Sequence, residues 1–184
     1  MLETLGPPPL WRREPGFATL LQIILEQQVS LHSARAAFER LLAVTGPLTP
    51  EGFLLLDDAT LKAVGFSRQK TAYGRHLARA LLERGLDLGP LETLDDAAAR
   101  AELIRLKGVG PWTADIYLLM ALGRPDAWPG GDLALAVAVQ EVKGLAGRPG
   151  SAELERLAEA WRPCRAVAAR LLWHYYLKGR NKDG

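Results

Sequence analysis

Apolar residues recur at helical spacing along almost the whole chain, in short segments that end at glycine or proline. Phe17–Leu25 has a broad apolar face, and Ser30 is a typical N-cap for a second helix over about 31–44. Ala34, Phe38, Leu41 and Leu42 would form the inner face of that second helix. Thr49-Pro50 is another helix start, and further helices are predicted over about 58–64, 67–83, 95–106, 111–123, 133–143, 152–161 and 164–178. Because strand-like alternation is nowhere sustained, the sequence predicts an all-α fold of about ten short helices.

The composition argues against several classes of protein. No stretch approaches the roughly 20 apolar residues of a membrane span, and residues 1–9 lack a basic segment followed by an apolar run, so we expect a cytoplasmic location. The single cysteine, Cys164, and three scattered histidines argue against a zinc site or an iron–sulfur cluster. A net charge of +2 is compatible with a nucleic-acid partner, although a solubilised surface explains it equally well.

The segment 106–113, Leu-Lys-Gly-Val-Gly-Pro-Trp-Thr, joins two of the predicted helices. Gly108 and Gly110 allow backbone angles closed to other residues, and Pro111 presets the first turn of the next helix. We therefore predict a tight hairpin, pinned to the core by Val109. Its outward N–H groups, at the positive end of a helix, would suit a phosphate oxygen. The alternative is an ordinary turn between two helices.

The hairpin segment resembles the helix-hairpin-helix motif of the DNA glycosylase superfamily, which also includes endonuclease III. Residues 24–30, 61–65 and 161–176 resemble the 3-methyladenine DNA glycosylase II branch of that superfamily, in the same order along the chain. The resemblance covers about residues 15–178, which is nearly the whole sequence.

The resemblance implies a two-lobed helical bundle with a cleft between its lobes. The central lobe would comprise residues 16–124 and include the helix-hairpin-helix at about 95–123. The second lobe would comprise residues 1–15 and 125–184 and carry the catalytic aspartate.

Asp132 follows two glycines and precedes a predicted helix, so on the residues alone it is an N-cap. The resemblance implies that it is also the catalytic aspartate, which lies about one helix and one loop beyond the hairpin, at the mouth of the cleft. Alkylation gives a purine positive charge and makes it a good leaving group. A fixed carboxylate could then stabilise the developing sugar cation and steer the attacking water.

The resemblance also assigns a base pocket. Trp112 and Trp173 match aromatic pocket positions of the family, and aromatic faces suit a flipped, cationic base. Trp173 could equally pack in the core. Ile116 and Leu133 stand where some relatives have tyrosine, which leaves the shape of the pocket and the substrate range open.

The end of the first helix matches the family segment that fills the gap left by a flipped base. Gln28 would be inserted into the duplex, and Gln27 would contact the opposite strand or the backbone. On the residues alone, both glutamines are surface residues at a helix end.

Two further groups of residues are assigned to the hairpin. The DNA backbone would be bound by Lys107, Gly108, Val109, Gly110 and Thr113. A Na⁺ or K⁺ ion would be held, as in relatives, by the backbone carbonyls of Ile104, Leu106 and Val109. For Lys107, a solvated helix charge explains the residue equally well.

The residues and the resemblance together predict a monofunctional base-excision glycosylase that acts on damaged double-stranded DNA. We expect it to be a monomer, to need no cofactor and to be associated with the nucleoid. Lyase-competent branches carry a nucleophilic lysine at the position of Trp112, so no lyase activity is expected. The expected substrates are alkylated purines, of the 3-methyladenine and 7-methylguanine class. The alternatives are a monofunctional glycosylase for uracil, mismatched or oxidised bases, and a non-catalytic DNA-binding module.

Overall fold

The computed structural model describes residues 5–83 and 86–180. Within these residues the chain forms ten α-helices, two short 3₁₀ helices and no strand, which confirms the all-α prediction. The α-helices are α1 (Phe17–Glu26), α2 (Leu31–Thr45), α3 (Pro50–Leu55), α4 (Asp58–Val64), α5 (Arg68–Glu83), α6 (Asp96–Ile104), α7 (Pro111–Met120), α8 (Leu133–Lys143), α9 (Ser151–Ala158) and α10 (Arg165–Arg180). The 3₁₀ helices span Gly89–Glu92 and Glu159–Trp161. None of the described helices is long and apolar enough to cross a bilayer.

Side-chain caps set the start of many of these helices. A side-chain oxygen accepts the N–H of the residue three positions later at Ser30, Thr49, Asp57, Ser67, Asp95 and Asp132. Each bond satisfies a donor that the first turn of a helix leaves without an intrahelical acceptor. The helix predicted over 58–64 ends as expected, since Gly65 follows it with a left-handed backbone. Gly85, which follows the helix predicted over 67–83, lies outside the described residues.

The chain divides into two compact units, which are Arg13–Tyr117 and the combination of Met1–Arg12 with Leu118–Gly184. In the unit Arg13–Tyr117, α1 packs against α2 and α5, and α3 packs against α5. The apolar residues of α1 are almost fully buried, so this helix forms the centre of the unit's core.

The inner face of α2 differs from the prediction at one position. Ala34, Ala37 and Leu41 are buried, and Phe38 is half-buried. Leu42, which was expected to point inward, is 37% exposed. The buried stripe follows positions i, i+3 and i+7, and Leu42 lies one residue beyond it.

In the second unit, α8 packs against α10 and α9 packs against α8. The buried residues of α8 and α10 include several alanines, which have little side chain to separate the two helices. The helix predicted over 152–161 is shorter than expected, because α9 ends at Ala158 and its last turn is the 3₁₀ helix Glu159–Trp161. The α8–α10 pair carries the residues around Asp132.

Candidate functional site

Residues 105–110 form a tight turn between α6 and α7. Two short backbone bonds close it, from Leu106 N to Leu103 O (3.1 Å) and from Val109 N to Leu106 O (3.0 Å). Gly110 O accepts the N–H of Ala114 at 3.0 Å and so begins α7. The Val109 side chain is buried, as the sequence predicts. The turn is therefore a hairpin whose apex lies against the first turn of a helix.

The two glycines of the hairpin have different surroundings. Gly108 has a φ of +93°, and a Cβ at this position would lie 2.3 Å from Cγ of Tyr73. A Cβ at Gly110 would have no atom within 4 Å. The protein's own packing therefore requires glycine at position 108, whereas at position 110 the missing side chain leaves an open surface next to the helix N-terminus.

An ion pair joins the two helices that flank the hairpin. Arg100 of α6 donates from Nε to Oδ1 of Asp115 in α7 at 2.7 Å, and from Nη2 to Oδ2 at 3.2 Å. Asp115 is only 6% exposed, and a buried carboxylate is stable only when it is paired and hydrogen-bonded. The two-point contact fixes α6 relative to α7 and thus the shape of the hairpin between them.

Gln27, immediately after α1, is bonded to the hairpin. Its Nε2 donates to the carbonyl oxygen of Gly108 and to the hydroxyl oxygen of Thr113, both at 2.8 Å. Thr113 is itself almost fully buried. The amide nitrogen of Gln27 is therefore engaged inside the protein, and its predicted contact with DNA stays a prediction.

Gln28 is exposed and has a φ of +56°, in the left-handed region that non-glycine residues rarely adopt. Such a conformation persists where the neighbouring structure holds it. Shortly before Gln28, Lys70 Nζ donates to Leu25 O near the end of α1 at 2.6 Å. Burial lowers the pKa of Lys70. The exposed apolar residues Val29 and Leu31 follow Gln28, so this segment presents an exposed, partly apolar surface.

In the other unit, Asp132 is the N-cap of α8. Its Oδ1 accepts the N–H of Leu135 at 2.9 Å and the indole N–H of Trp173 at 3.1 Å. Its own N–H donates to Pro129 O at 2.9 Å. These two bonds end on the same oxygen, so they fix the orientation of the carboxylate.

Trp173, on α10, is 8% exposed. Its ring contacts Trp11 edge to face, with a centroid distance of 6.3 Å and an angle of 81° between the ring planes. The indole is therefore packed, and its polar atom holds the candidate catalytic carboxylate. The assignment of Trp173 to a base pocket stays a prediction.

The loop that leads to Asp132 is held by a partly buried ion pair. Arg165 donates to both oxygens of Asp126, from Nε at 2.9 Å and from Nη2 at 3.0 Å, and Arg162 also contacts this carboxylate. Burial acts to raise the pKa of Asp126, but the hydrogen bonds and charges of the two arginines outweigh it and lower the pKa below its usual range. The loop is thus anchored to the start of α10.

The remaining predicted pocket residues differ in exposure. Trp112 is half-buried near the start of α7, Ile116 is 2% exposed, and Leu133, directly after Asp132, is 58% exposed. Ile116 therefore presents almost no surface to a base. Within residues 5–83 and 86–180, no group of three or more His, Cys, Asp or Glu side chains could hold a metal ion.

The sequence analysis missed several residues that support the hairpin or the surroundings of Asp132. Tyr73, Arg100 and Asp115 support the hairpin, and Trp11 packs on Trp173. The arginine and aspartate are 15 positions apart on different helices, and Trp11 lies in a non-helical segment. Trp11 alone had a signal in the sequence. It lies in a proline-rich stretch with no helical periodicity, so its large aromatic side chain is not explained by the core face of a helix.

The chain was compared with known proteins and structures. Residues 21–163 match the model of the HhH-GPD superfamily base excision DNA repair protein. YfjP of Bacillus subtilis, whose name places it among the DNA-3-methyladenine glycosylases, is 28% identical over 84% of this chain and 56% of its own length. The alkylbase DNA glycosidase-like protein mag2 of Schizosaccharomyces pombe is 32% identical over 68% of this chain and 59% of its own length. The chain thus spans a little over half the length of these two relatives.

A solved structure extends the similarity to the fold. The 3-methyladenine DNA glycosylase Mag1 of Schizosaccharomyces pombe, in complex with abasic DNA, superimposes with a TM-score of 0.87. The match covers 94% of this chain and 87% of Mag1, at 26% sequence identity.

Proposed function

Since this chain belongs to the HhH-GPD superfamily of base excision DNA repair proteins, we propose that it is a monofunctional DNA glycosylase for alkylated purines. The expected substrates are bases of the 3-methyladenine and 7-methylguanine class in double-stranded DNA. The observation that carries the proposal is the Asp132 carboxylate, fixed by bonds from Leu135 and Trp173 at the start of α8.

The chemistry needs few groups from the protein. The bond between the sugar C1′ and the purine nitrogen breaks, and its electron pair leaves with the base, which becomes neutral because alkylation had made it cationic. The sugar gains positive charge, which the Asp132 carboxylate stabilises at short range. Water then adds to C1′ and loses its proton to that carboxylate or to solvent. The products are a free base and an abasic site.

The hairpin is proposed to hold the DNA backbone. N–H groups at the start of α7 lie beside the open surface of Gly110, where a phosphate oxygen can approach closely. The exposed Gln28 would fill the gap left by the flipped base. Its left-handed backbone and the exposed apolar residues beside it support this role.

We propose that the enzyme has no lyase activity. Trp112 stands where lyase-competent relatives have their amine nucleophile, so no Schiff base can form at that position. Borohydride added during the reaction should trap no protein–DNA adduct. A trapped adduct that survives denaturation would overturn this part of the proposal.

A monovalent cation at the hairpin is also proposed, on the carbonyl oxygens of Ile104, Leu106 and Val109. Uncharged carbonyl oxygens, close together in the hairpin, are suitable ligands for Na⁺ or K⁺. The Leu106 carbonyl already accepts the N–H of Val109, but a carbonyl oxygen has a second lone pair. A bound cation would add positive charge beside the phosphate site.

The test is a panel of duplexes that each carry one defined lesion, with the released base identified by mass spectrometry. Release of free 3-methyladenine or 7-methylguanine supports the proposal. Release of uracil or an oxidised base alone would assign a different substrate class. Tight DNA binding without release of any base would indicate a binding module.

A further inference from the structure

Residues 5–12, here called the strap, are bonded to α10. Arg170 donates from Nε to the carbonyl of Leu10 at 3.0 Å and from Nη2 to the carbonyl of Leu119 at 2.9 Å. Burial lowers the pKa of Arg170. A guanidinium that bonds several carbonyls fixes their relative positions, because its donors form a rigid planar fork. The backbone next to Trp11 is therefore held in place.

The opposite end of the strap is held by two more side chains of the same helix. His174 Nε2 lies 3.1 Å from the carbonyl oxygen of Leu5, and Lys178 Nζ donates to the same oxygen at 2.7 Å. His174 is buried. Arg170, His174 and Lys178 are spaced four residues apart and thus lie on one face of α10. One helix face therefore holds the strap at Leu5 and at Leu10.

Immediately after the Leu10 attachment, Trp11 has a φ of +47°. A bulky residue rarely adopts the left-handed region, and it does so only where the surrounding structure over-determines it. This conformation accompanies the edge-to-face contact of the Trp11 ring with Trp173, whose indole N–H lies on Oδ1 of Asp132. The direction of an indole N–H is set by the tilt of its ring, so a ring held against that indole also holds its hydrogen bond.

We propose that Trp11 is a positioning residue, which keeps the Trp173 indole on the Asp132 carboxylate, and that the strap is part of the working site. The inference rests on the proposed function for the role of Asp132. It goes beyond that function because it assigns a role in base release to the strap, which lies outside the helix-hairpin-helix motif.

The first test measures the Trp173 indole directly and needs no activity. The sequence contains five tryptophans, whose indole N–H signals can be followed by hydrogen exchange in ¹⁵N-labelled protein, with Trp173→Phe identifying the relevant signal. Trp11→Ala should speed exchange of the Trp173 indole N–H about two- to tenfold, the factor that corresponds to one edge-to-face aromatic pair. Unchanged exchange would overturn the proposal.

The second test is the single-turnover rate of base release. Trp11→Ala should slow release by up to about 100-fold, as a displaced reacting group does. Trp11→Phe, which keeps a ring edge, should restore most of the rate. The double variant with Trp173→Phe should be no slower than the slower single variant, because both changes affect the same contact.

The matched control is Trp161→Ala. Trp161 is also half-buried and also contacts one other tryptophan, Trp128, with a centroid distance of 5.5 Å. This variant should lose thermal stability to a similar degree but release base at the wild-type rate. If Trp11→Ala does not fold, Trp11→Leu, which has no ring but retains more apolar volume than alanine, replaces it. Equal slowing by Trp11→Ala and Trp161→Ala would overturn the proposal, whereas normal release by Asp132→Asn would instead overturn the proposed function.

Discussion

Replacing Gly108 with alanine tests how the hairpin is built. The new Cβ would lie 2.3 Å from Cγ of Tyr73, and the φ of +93° is strained for any residue with a side chain. The backbone strain costs about 1–2 kcal/mol, and the forced overpacking costs about 1–3 kcal/mol more. We therefore expect the free energy of unfolding to fall by about 2–5 kcal/mol. For a chain of this size, that corresponds to a melting temperature lower by roughly 4–20 °C.

Gly110→Ala is the matched control, since its Cβ would contact no other atom. Its melting temperature should stay the same or rise slightly, because alanine restricts the unfolded chain. Its affinity for DNA should fall, because a methyl group would occupy the surface that a phosphate approaches. Calorimetry measures the melting temperatures, and fluorescence anisotropy with an abasic duplex measures the affinities. A wild-type melting temperature for Gly108→Ala would refute the close contact with Tyr73. A wild-type affinity of Gly110→Ala for DNA would refute the placement of a phosphate beside Gly110.

Three further variants test other contacts. Gln27→Ala removes the donor shared by Gly108 and Thr113, so at about 0.5–1.5 kcal/mol per hydrogen bond its thermal melt should shift downward, and an unchanged melt would contradict the contact. Gln28→Ala should slow excision from duplexes more than from single strands, and equal slowing on both would argue against insertion. Asp126→Asn should be less stable than wild type at neutral pH, in urea titrations. The lowered pKa of the native carboxylate stabilises the fold above about pH 4, the unfolded value, and this stabilisation disappears as pH falls through the native pKa. The difference should therefore shrink below about pH 4, and a constant difference down to pH 3 would contradict the ion pair.

The sequence predicts local structure well in this chain because short-range interactions determine it. Ser30, Thr49 and Asp132 cap their helices with their own side chains, and the hairpin glycines and proline restrict the backbone directly. The predicted orientation of Val109 is confirmed for a similar reason, since an apolar side chain between two glycines in a tight turn is stabilised by packing into the core. These features need no knowledge of the tertiary fold.

Contacts between distant segments could not be predicted in the same way. The Gln27 amide reaches Gly108, 81 residues later, and a glutamine at a helix end has no pattern that names its partner. The contact between Trp11 and Trp173 depends on hydrogen bonds to backbone carbonyls of a non-helical segment. Every residue has a backbone carbonyl, so the sequence does not indicate which ones are bonded. The predicted burial of Leu42 was wrong because a small rotation of the helix about its axis decides which of the adjacent residues Leu41 and Leu42 is buried.

The most direct test of the central claim compares wild type with Asp132→Asn in single-turnover release of 7-methylguanine from duplex DNA. Asparagine keeps an oxygen that can accept the bonds from Leu135 and Trp173 but removes the negative charge. We predict that release slows at least about 100-fold, the scale of losing one electrostatic contribution in an active site. DNA affinity and melting temperature should stay close to wild type. Release at the wild-type rate by Asp132→Asn would contradict the account, because the carboxylate would then have no part in breaking the bond.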